Sequence, residues 1–160
     1  MKPYDFSIIS PSALKVNKIK IEELENFEEP EDVMKKFIKI IEKYSGNYYN
    51  RLIVGGYNVV FDINKLMNFF ARVHNPTHKL DGEYWNYYKE YYKYFQNRHV
   101  DVMALLPFIE KKIGNTFKSH KLEDVFTFFF PEEEIDFHDA KSDIYCTIKL
   151  HKLFNKVFGL

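Results

Sequence analysis

The hydrophobic residues of this chain fall into a few short continuous runs and several longer stretches with helical spacing. Residues 52–54 form a fully apolar run between turn residues, which is typical of a buried strand in a parallel sheet. Residues 6–9 and 100–103 are two further short runs, and the pattern predicts a strand for each. Strands that alternate with helices along a chain indicate an α/β domain.

The helical stretches carry apolar residues three to four positions apart, so that these residues share one face. The first begins at the acidic segment around Pro30, where a proline and negative charges both suit a helix start, and Ser45 to Asn47 ends it. The other predicted helices cover residues 61–73, 84–95, 104–113, 121–128 and 139–157. We find no internal repeat and no interdomain linker, so residues 1–160 are expected to form a single domain.

The composition narrows the class of protein. The 160 residues carry 23 basic and 23 acidic side chains, which excludes a strongly basic nucleic-acid coat protein and an acidic tail protein. A hydrophobic content of 46% excludes a disordered chain. The single cysteine, Cys146, excludes an internal disulfide framework and a cysteine-based zinc site. No apolar run suits a signal peptide or a membrane span, so a soluble cytoplasmic protein is expected.

Two segments carry candidate chemistry. In the first, Asp62 follows the predicted strand at 52–54 and lies near a helix start, and ligands gather beyond the carboxyl ends of strands in α/β sheets. The alternative is that Asp62 is only a helix cap. In the second segment, His138 and Asp143 are five residues apart where a loop enters the last helix, with Asp139 as the natural cap. From spacing alone, a surface histidine and a solvated helix acid are the simpler interpretation of that pair.

Taken together and in this order, the two segments resemble the second and third motifs of the DnaQ-like (DEDDh) family of 3′–5′ exonucleases. The family pattern is an Asn, a Phe-Asp pair and a Leu, followed much later by His-Asp-Ala and a final Asp. The matching residues here are Asn58, Phe61, Asp62 and Leu66, followed by His138, Asp139, Ala140 and Asp143. A start at Gly56, Tyr57 and Asn58 occurs in members of the family. The resemblance covers roughly residues 6 to 158.

This resemblance implies a 3′–5′ exonuclease that hydrolyses phosphodiester bonds at single-stranded 3′ ends of DNA or RNA. Two Mg²⁺ or Mn²⁺ ions would clamp the scissile phosphate, with Asp62 and Asp143 as metal ligands. His138 would be the general base. Asn58, Phe61 and Tyr57 would bind the terminal nucleotide. A polymerase, a complementing N-terminal chain or another copy of the chain are the protein partners that the resemblance suggests, and no membrane is expected.

The chain departs from the family pattern at its first motif. The family's Asp-x-Glu on the first strand is missing, so two of the four expected carboxylates are absent, and Asp62 with Asp143 alone should hold two ions poorly. The expected ribonuclease-H-like fold, a central mixed sheet flanked by helices, would lack its first two strands. We therefore expect an N-terminally incomplete exonuclease domain. The alternative is a catalytically degenerate module that binds nucleic acid or a polymerase.

Overall fold

The computed structural model describes residues 1–16, 18–45, 50–75, 84–137 and 139–159. Within these residues, eight α-helices and two strands follow one another along the chain. The helices are α1 (Pro11–Val16), α2 (Ile21–Leu24), α3 (Pro30–Ile41), α4 (Val59–His74), α5 (Tyr84–Tyr91), α6 (Leu106–Ile113), α7 (Leu122–Phe129) and α8 (Ala140–Phe158). The strands are β1 (Leu52–Gly56) and β2 (Phe95–Asp101), and short 3-10 helices cover Phe6–Ile8 and Met103–Leu105.

The two strands form a parallel sheet, and the chain is mixed α/β as predicted. The Leu52 N–H donates to the Tyr94 C=O at 2.8 Å, and the Val102 N–H donates to the Gly56 C=O at 2.9 Å. Both strands therefore run in the same direction. The described residues thus hold two parallel strands where the resemblance led us to expect a larger mixed sheet.

The strand predicted over residues 6–9 is wrong. This segment is a 3-10 helix, because the Asp5 carboxylate accepts hydrogen bonds from the N–H and the hydroxyl of Ser7, at 2.8 and 2.6 Å. Such a local side-chain acceptor offers the backbone an alternative to a strand ladder. The third strand of the expected fold is therefore not present in this segment either.

The strand predicted over residues 100–103 begins earlier, at Phe95, and ends at Asp101. Its polar residues from Gln96 to His99 are half-buried or exposed, so the apolar run covers only its end. The predicted helix over residues 84–95 is correspondingly shorter and ends at Tyr91.

The described chain divides into two compact units. The first unit comprises residues 1–53 and 63–97. Its centre is aromatic: the fully buried Phe70 ring meets Tyr91 and Phe95 edge to face, with ring centroids 6.0 and 6.3 Å apart. Met34 and Ile41 of α3 are also buried. Aromatic residues of the segment that begins at residue 84 therefore belong to the core of this unit. Edge-to-face contacts between such rings are favourable.

The second unit comprises residues 54–62 and 98–160, of which position 138 and position 160 lie outside the described residues. Helices α6 and α7 both contact α8. The buried residues of this unit form one hydrophobic cluster: Val102, Leu106, Ile109, Val125, Phe126, Cys146, Leu150 and Phe154. Burial raises the pKa of the Cys146 thiol, so this cysteine is a core residue. Tyr57, Asn58, Phe61, Asp62 and Asp143 of the sequence analysis belong to this second unit, whereas Leu66 belongs to the first.

Candidate functional site

The turn between β1 and α4 is fixed by a carboxylate from the end of β2. Asn58 adopts a left-handed backbone with φ of 56°, a conformation that asparagine tolerates better than most residues. Its N–H donates to Asp101 Oδ1 at 2.9 Å, and the Met103 N–H donates to the same oxygen at 3.0 Å. Asp101 therefore holds together the segments that follow both strands.

Tyr57 lies in the same turn and is half-buried. Its hydroxyl donates to the His120 carbonyl oxygen at 2.6 Å. Burial raises the pKa of the Tyr57 phenol well above its ordinary value, and the nearby charges of Asp101 and Asp124 add to that effect. Tyr57 is thus a neutral hydrogen-bond donor at physiological pH, and its ring anchors the turn to the segment around His120.

Asp62 lies in the first turn of α4, three residues beyond the first helical residue, Val59. It is therefore not the residue that precedes the helix, and the cap interpretation is wrong for Asp62. Its side chain is exposed, and so is that of the neighbouring Phe61, at 59%. An exposed acid at the beginning of a helix is favoured by the helix dipole and remains accessible to a ligand.

Asp143 lies in the first turn of α8 and is half-buried. The predicted cap is confirmed, because Asp139 Oδ2 accepts a hydrogen bond from the Ser142 N–H at 3.1 Å. The helix start is therefore satisfied without Asp143. Its carboxylate is available for another role.

Asp62 and Asp143 line the same open cavity, which has a volume of about 820 Å³ and which we call the β1–α8 cavity. Its lining residues come from β1, the turn after it, the first turn of α4, the end of β2 and one side of α8. They are Val54, Gly55, Gly56, Tyr57, Asn58, Val59, Phe61, Asp62, Val100, Val102, Leu122, Ala140, Asp143, Ile144, Thr147, Ile148 and His151. The α8 side of the cavity combines apolar residues with polar ones, namely Ala140, Ile144 and Ile148 with Asp143, Thr147 and His151.

A second cavity of about 500 Å³ shares Tyr57, Asn58, Leu122 and Asp143 with the first. Its other side includes His120 and Lys121, which belong to a run of basic residues in the sequence. The cationic Lys121 side chain suits an anionic group such as a phosphate, and it shares this cavity with the acidic Glu123 and Asp143.

The predicted site residues are thus brought together in large part. Asn58, Phe61, Asp62, Tyr57 and Asp143 all line the β1–α8 cavity. His138 lies outside the described residues. The sequence analysis missed two residues, and both had a detectable signal. Asp101 is the last residue of a strand, and ligands gather at the carboxyl ends of strands, which is the rule that also drew attention to Asp62. His151 lies eight residues after Asp143 on α8, a spacing that shares one helix face.

The cavity offers the kind of ligand that a hard divalent cation prefers, but too few of them for two ions. Carboxylate oxygens such as those of Asp62 and Asp143 are the ligands that Mg²⁺ and Mn²⁺ prefer. In the part of the chain that the structure describes, no group of three or more His, Cys, Asp or Glu side chains is arranged to hold a metal ion. Two carboxylates alone therefore do not complete a two-ion site.

Among the helices in the described ranges, none is both long enough and apolar enough to cross a lipid bilayer. Comparisons of the chain with protein-family models, with curated protein sequences and with solved structures find no match. The function must therefore be argued from the cavity and its residues.

Proposed function

We propose that this chain is a DnaQ-like exonuclease module with a ribonuclease-H-like fold, which removes nucleotides from the 3′ ends of DNA or RNA with Mg²⁺ or Mn²⁺. One observation carries the proposal. Asn58 and Asp62 from one motif, and Asp143 from a motif some eighty residues later, line a single cavity. The carboxyl end of a parallel strand borders that cavity, as at ligand sites of α/β proteins generally.

Each residue of this chain has a distinct task in the proposal. Asp62 and Asp143 hold the metal ions, which when bound stabilise the charge that develops on the scissile phosphate. The exposed Phe61 ring contacts the terminal nucleotide. Asn58, fixed through Asp101, orients that nucleotide, and Tyr57, which lines the same cavity, contacts it. His138 is the general base by resemblance, and Lys121 offers a cation to a phosphate.

The proposal requires carboxylates beyond the two that line the cavity. A site built on Asp62 and Asp143 alone provides about half of the negative charge that two divalent ions need. The remaining carboxylates come from outside the described residues, from a complementing chain or another copy. We therefore expect the chain alone to have weak activity, and that activity to rise when the complementing carboxylates are supplied.

The test is nucleotide release from 5′-labelled single-stranded DNA and RNA with Mg²⁺ or Mn²⁺. Asp143→Asn keeps the size of the side chain and removes its charge, and it should lower the rate at least about 100-fold. The matched control is Asp32→Asn, because Asp32 is likewise an acid in the first turn of a helix, α3, but is exposed and does not line the cavity. The control should retain the wild-type rate.

The assay also decides between the enzyme and the binding module. Equal release by wild type and Asp143→Asn would show that these carboxylates do not catalyse the reaction. If wild type binds single-stranded ends but releases nothing with any complementing chain, the catalytically degenerate module that binds nucleic acid or a polymerase is favoured. That second candidate is supported by the absence of a three-carboxylate group among the described residues.

A further inference from the structure

The end of α6 and the loop after it concentrate positive charge in a chain whose net charge is zero. Residues 108–121 contain four lysines and one acid, Glu110, which is a net charge of +3 with histidine neutral. The lysines are all exposed, and none of them forms an ion pair within the described residues. They are Lys111, Lys112, Lys118 and Lys121. Positive charge that is not neutralised within the chain attracts an anionic partner.

Glu110 ties the loop back to the helix and uses its negative charge inside the fold. Its side chain is 15% exposed. Its Oε1 atom accepts a hydrogen bond from the Phe117 N–H at 2.7 Å and lies 3.1 Å from His120 Nε2. Gly114 ends the helix with a left-handed φ of 67° and lets the chain turn there. Because two lysines follow Glu110 directly and the other two adjoin Phe117 and His120, these contacts hold both pairs of lysines at the same end of α6.

An exposed aromatic ring lies among the lysines of α6. Phe108 is 63% exposed. Lys111 and Lys112 follow it at three and four residues, so they share its face of the helix. Leu106 and Ile109, on the other face, are buried. Surfaces that bind single-stranded nucleic acids combine such residues, because the cations contact phosphates and the ring stacks on an unpaired base. An acidic peptide would engage the lysines but offers no base to the ring.

The basic segment extends to the candidate site. His120 and Lys121 line the second cavity, which shares residues with the β1–α8 cavity. The Tyr57 hydroxyl donates to the His120 carbonyl at 2.6 Å and so fixes this end of the segment. Two acids, Glu123 and Asp124, follow in the first turn of α7. The positive surface therefore continues from Lys121 toward α6 and not along α7.

We propose that a single-stranded nucleic acid binds by its phosphate backbone to this surface outside the candidate site, with one base stacked on the Phe108 ring. We call it the α6 basic surface, formed by Phe108, Lys111, Lys112, Lys118 and Lys121. The inference rests on the proposed function only in taking the bound strand to be the substrate, of which the surface binds a part upstream of the 3′ end. The contact itself needs no metal ion. It makes a long strand a better ligand than a short one, because only a long strand engages both places at once.

The test measures binding without catalysis. A 5′-labelled oligothymidylate of about 20 nucleotides is titrated with the full chain in EDTA and followed by fluorescence anisotropy. The triple variant Lys111→Gln, Lys112→Gln, Lys118→Gln should weaken binding at least about tenfold. It should also reduce the slope of log affinity against log salt concentration by about 2, which is about 0.7 for each lost phosphate contact. Lys121 is left unchanged, because it lines a cavity of the candidate site.

Matched variants control for net charge and for exposed rings. Lys39→Gln, Lys43→Gln and Lys156→Gln together change the net charge equally at three exposed lysines outside the surface, and should weaken binding by less than about threefold. Phe108→Leu keeps an apolar side chain and loses the ring, and should weaken binding at least about fivefold. Tyr44→Leu, at an aromatic residue that is 72% exposed, should not. Thermal unfolding of all these variants should match wild type, because the changed side chains are exposed.

The inference is overturned if the lysine triple variant binds no more weakly than its charge-matched control, or if Phe108→Leu binds as wild type does. An oligoglutamate peptide that binds as tightly as the strand, through the same lysines, would assign the surface to an acidic protein segment instead. The nuclease assay separates this inference from the proposed function. If Asp143→Asn releases nucleotides as wild type does while binding still depends on the lysines, the proposed function fails and the surface stands. If release depends on Asp143 and binding does not depend on the lysines, only the surface fails.

Discussion

The two sides of α8 differ in burial although both are apolar. Cys146, Leu150 and Phe154 are fully buried against α6 and α7, whereas Ile144 and Ile148 are 61% and 49% exposed and line the β1–α8 cavity. A helix that is apolar on several sides is normally covered on several sides. The comparison shows that α6 and α7 cover one side of the helix, whereas in the described part of the chain the other side lines an open cavity.

The largest expected effect is a loss of stability caused by a change on the buried side of α8. Phe154→Ala should lower the free energy of unfolding by about 3–5 kcal/mol, because it removes an aromatic side chain from a closed core and leaves a cavity. The matched variant on the other side, Ile148→Ala, should change it by no more than about 0.5 kcal/mol. Urea unfolding measures both. Similar losses for the two variants would mean that Ile148 is packed in solution.

A smaller effect is expected at the turn between β1 and α4, which Asp101 holds. Asp101→Ala removes the acceptor of two backbone N–H groups, those of Asn58 and Met103, and should cost about 1–3 kcal/mol. Asp101→Asn retains a side-chain oxygen in the same place and should recover most of that loss. Hydrogen exchange at the Asn58 amide is the second measurement. Unchanged protection of that amide in the alanine variant would contradict the assigned role of Asp101.

The smallest effect concerns Tyr57, which lies between the two cavities. Tyr57→Phe loses the hydrogen bond to the His120 carbonyl and should cost about 0.5–1.5 kcal/mol by urea unfolding at neutral pH. The folded-state pKa of this phenol is raised by burial. The neutral phenol therefore contributes stability that is full below the ordinary tyrosine pKa of about 10 and is lost as the pH rises through the folded value.

This pH dependence provides the control for Tyr57. Between wild type and Tyr57→Phe, the difference in unfolding free energy should shrink as the pH rises above about 10. An absorbance titration of the folded chain should show one fewer late-ionising tyrosine in the variant. A difference that stays constant through this range would argue that the Tyr57 hydroxyl is not held as the structure has it.

Much of the fold could be predicted from local patterns. The positions of α4, α7 and α8 follow from apolar residues at helical spacing, and the Asp139 cap follows from its place before Ala140. The strand at residues 6–9 could not be predicted correctly, because its apolar pattern is overridden by a local Asp5 acceptor. The start of β2 could not be predicted either, because its residues after Phe95 are polar and form no apolar run.

Several residues of the candidate site could be predicted from the sequence, but others could not. The sequence marked Asn58, Asp62 and Asp143, and all three line one cavity. It did not mark Asp101, whose importance lies in a hydrogen bond across 43 residues of sequence. It also did not mark Ile144 and Ile148, because an apolar residue on an amphipathic helix is ordinarily assigned to the core.

Local spacing was enough to predict the α/β class, most helix positions and the residues that could carry chemistry, because these depend on a few turns of chain. Which apolar residues are covered became clear from the packed chain alone. Burial depends on what the rest of the chain brings alongside a face, and of two isomeric aliphatic side chains on α8, Leu150 is fully buried and Ile148 is 49% exposed. The tertiary structure also distinguished Gly56, which Val59 requires to be small, from Gly55, which nothing in the described chain requires to be small.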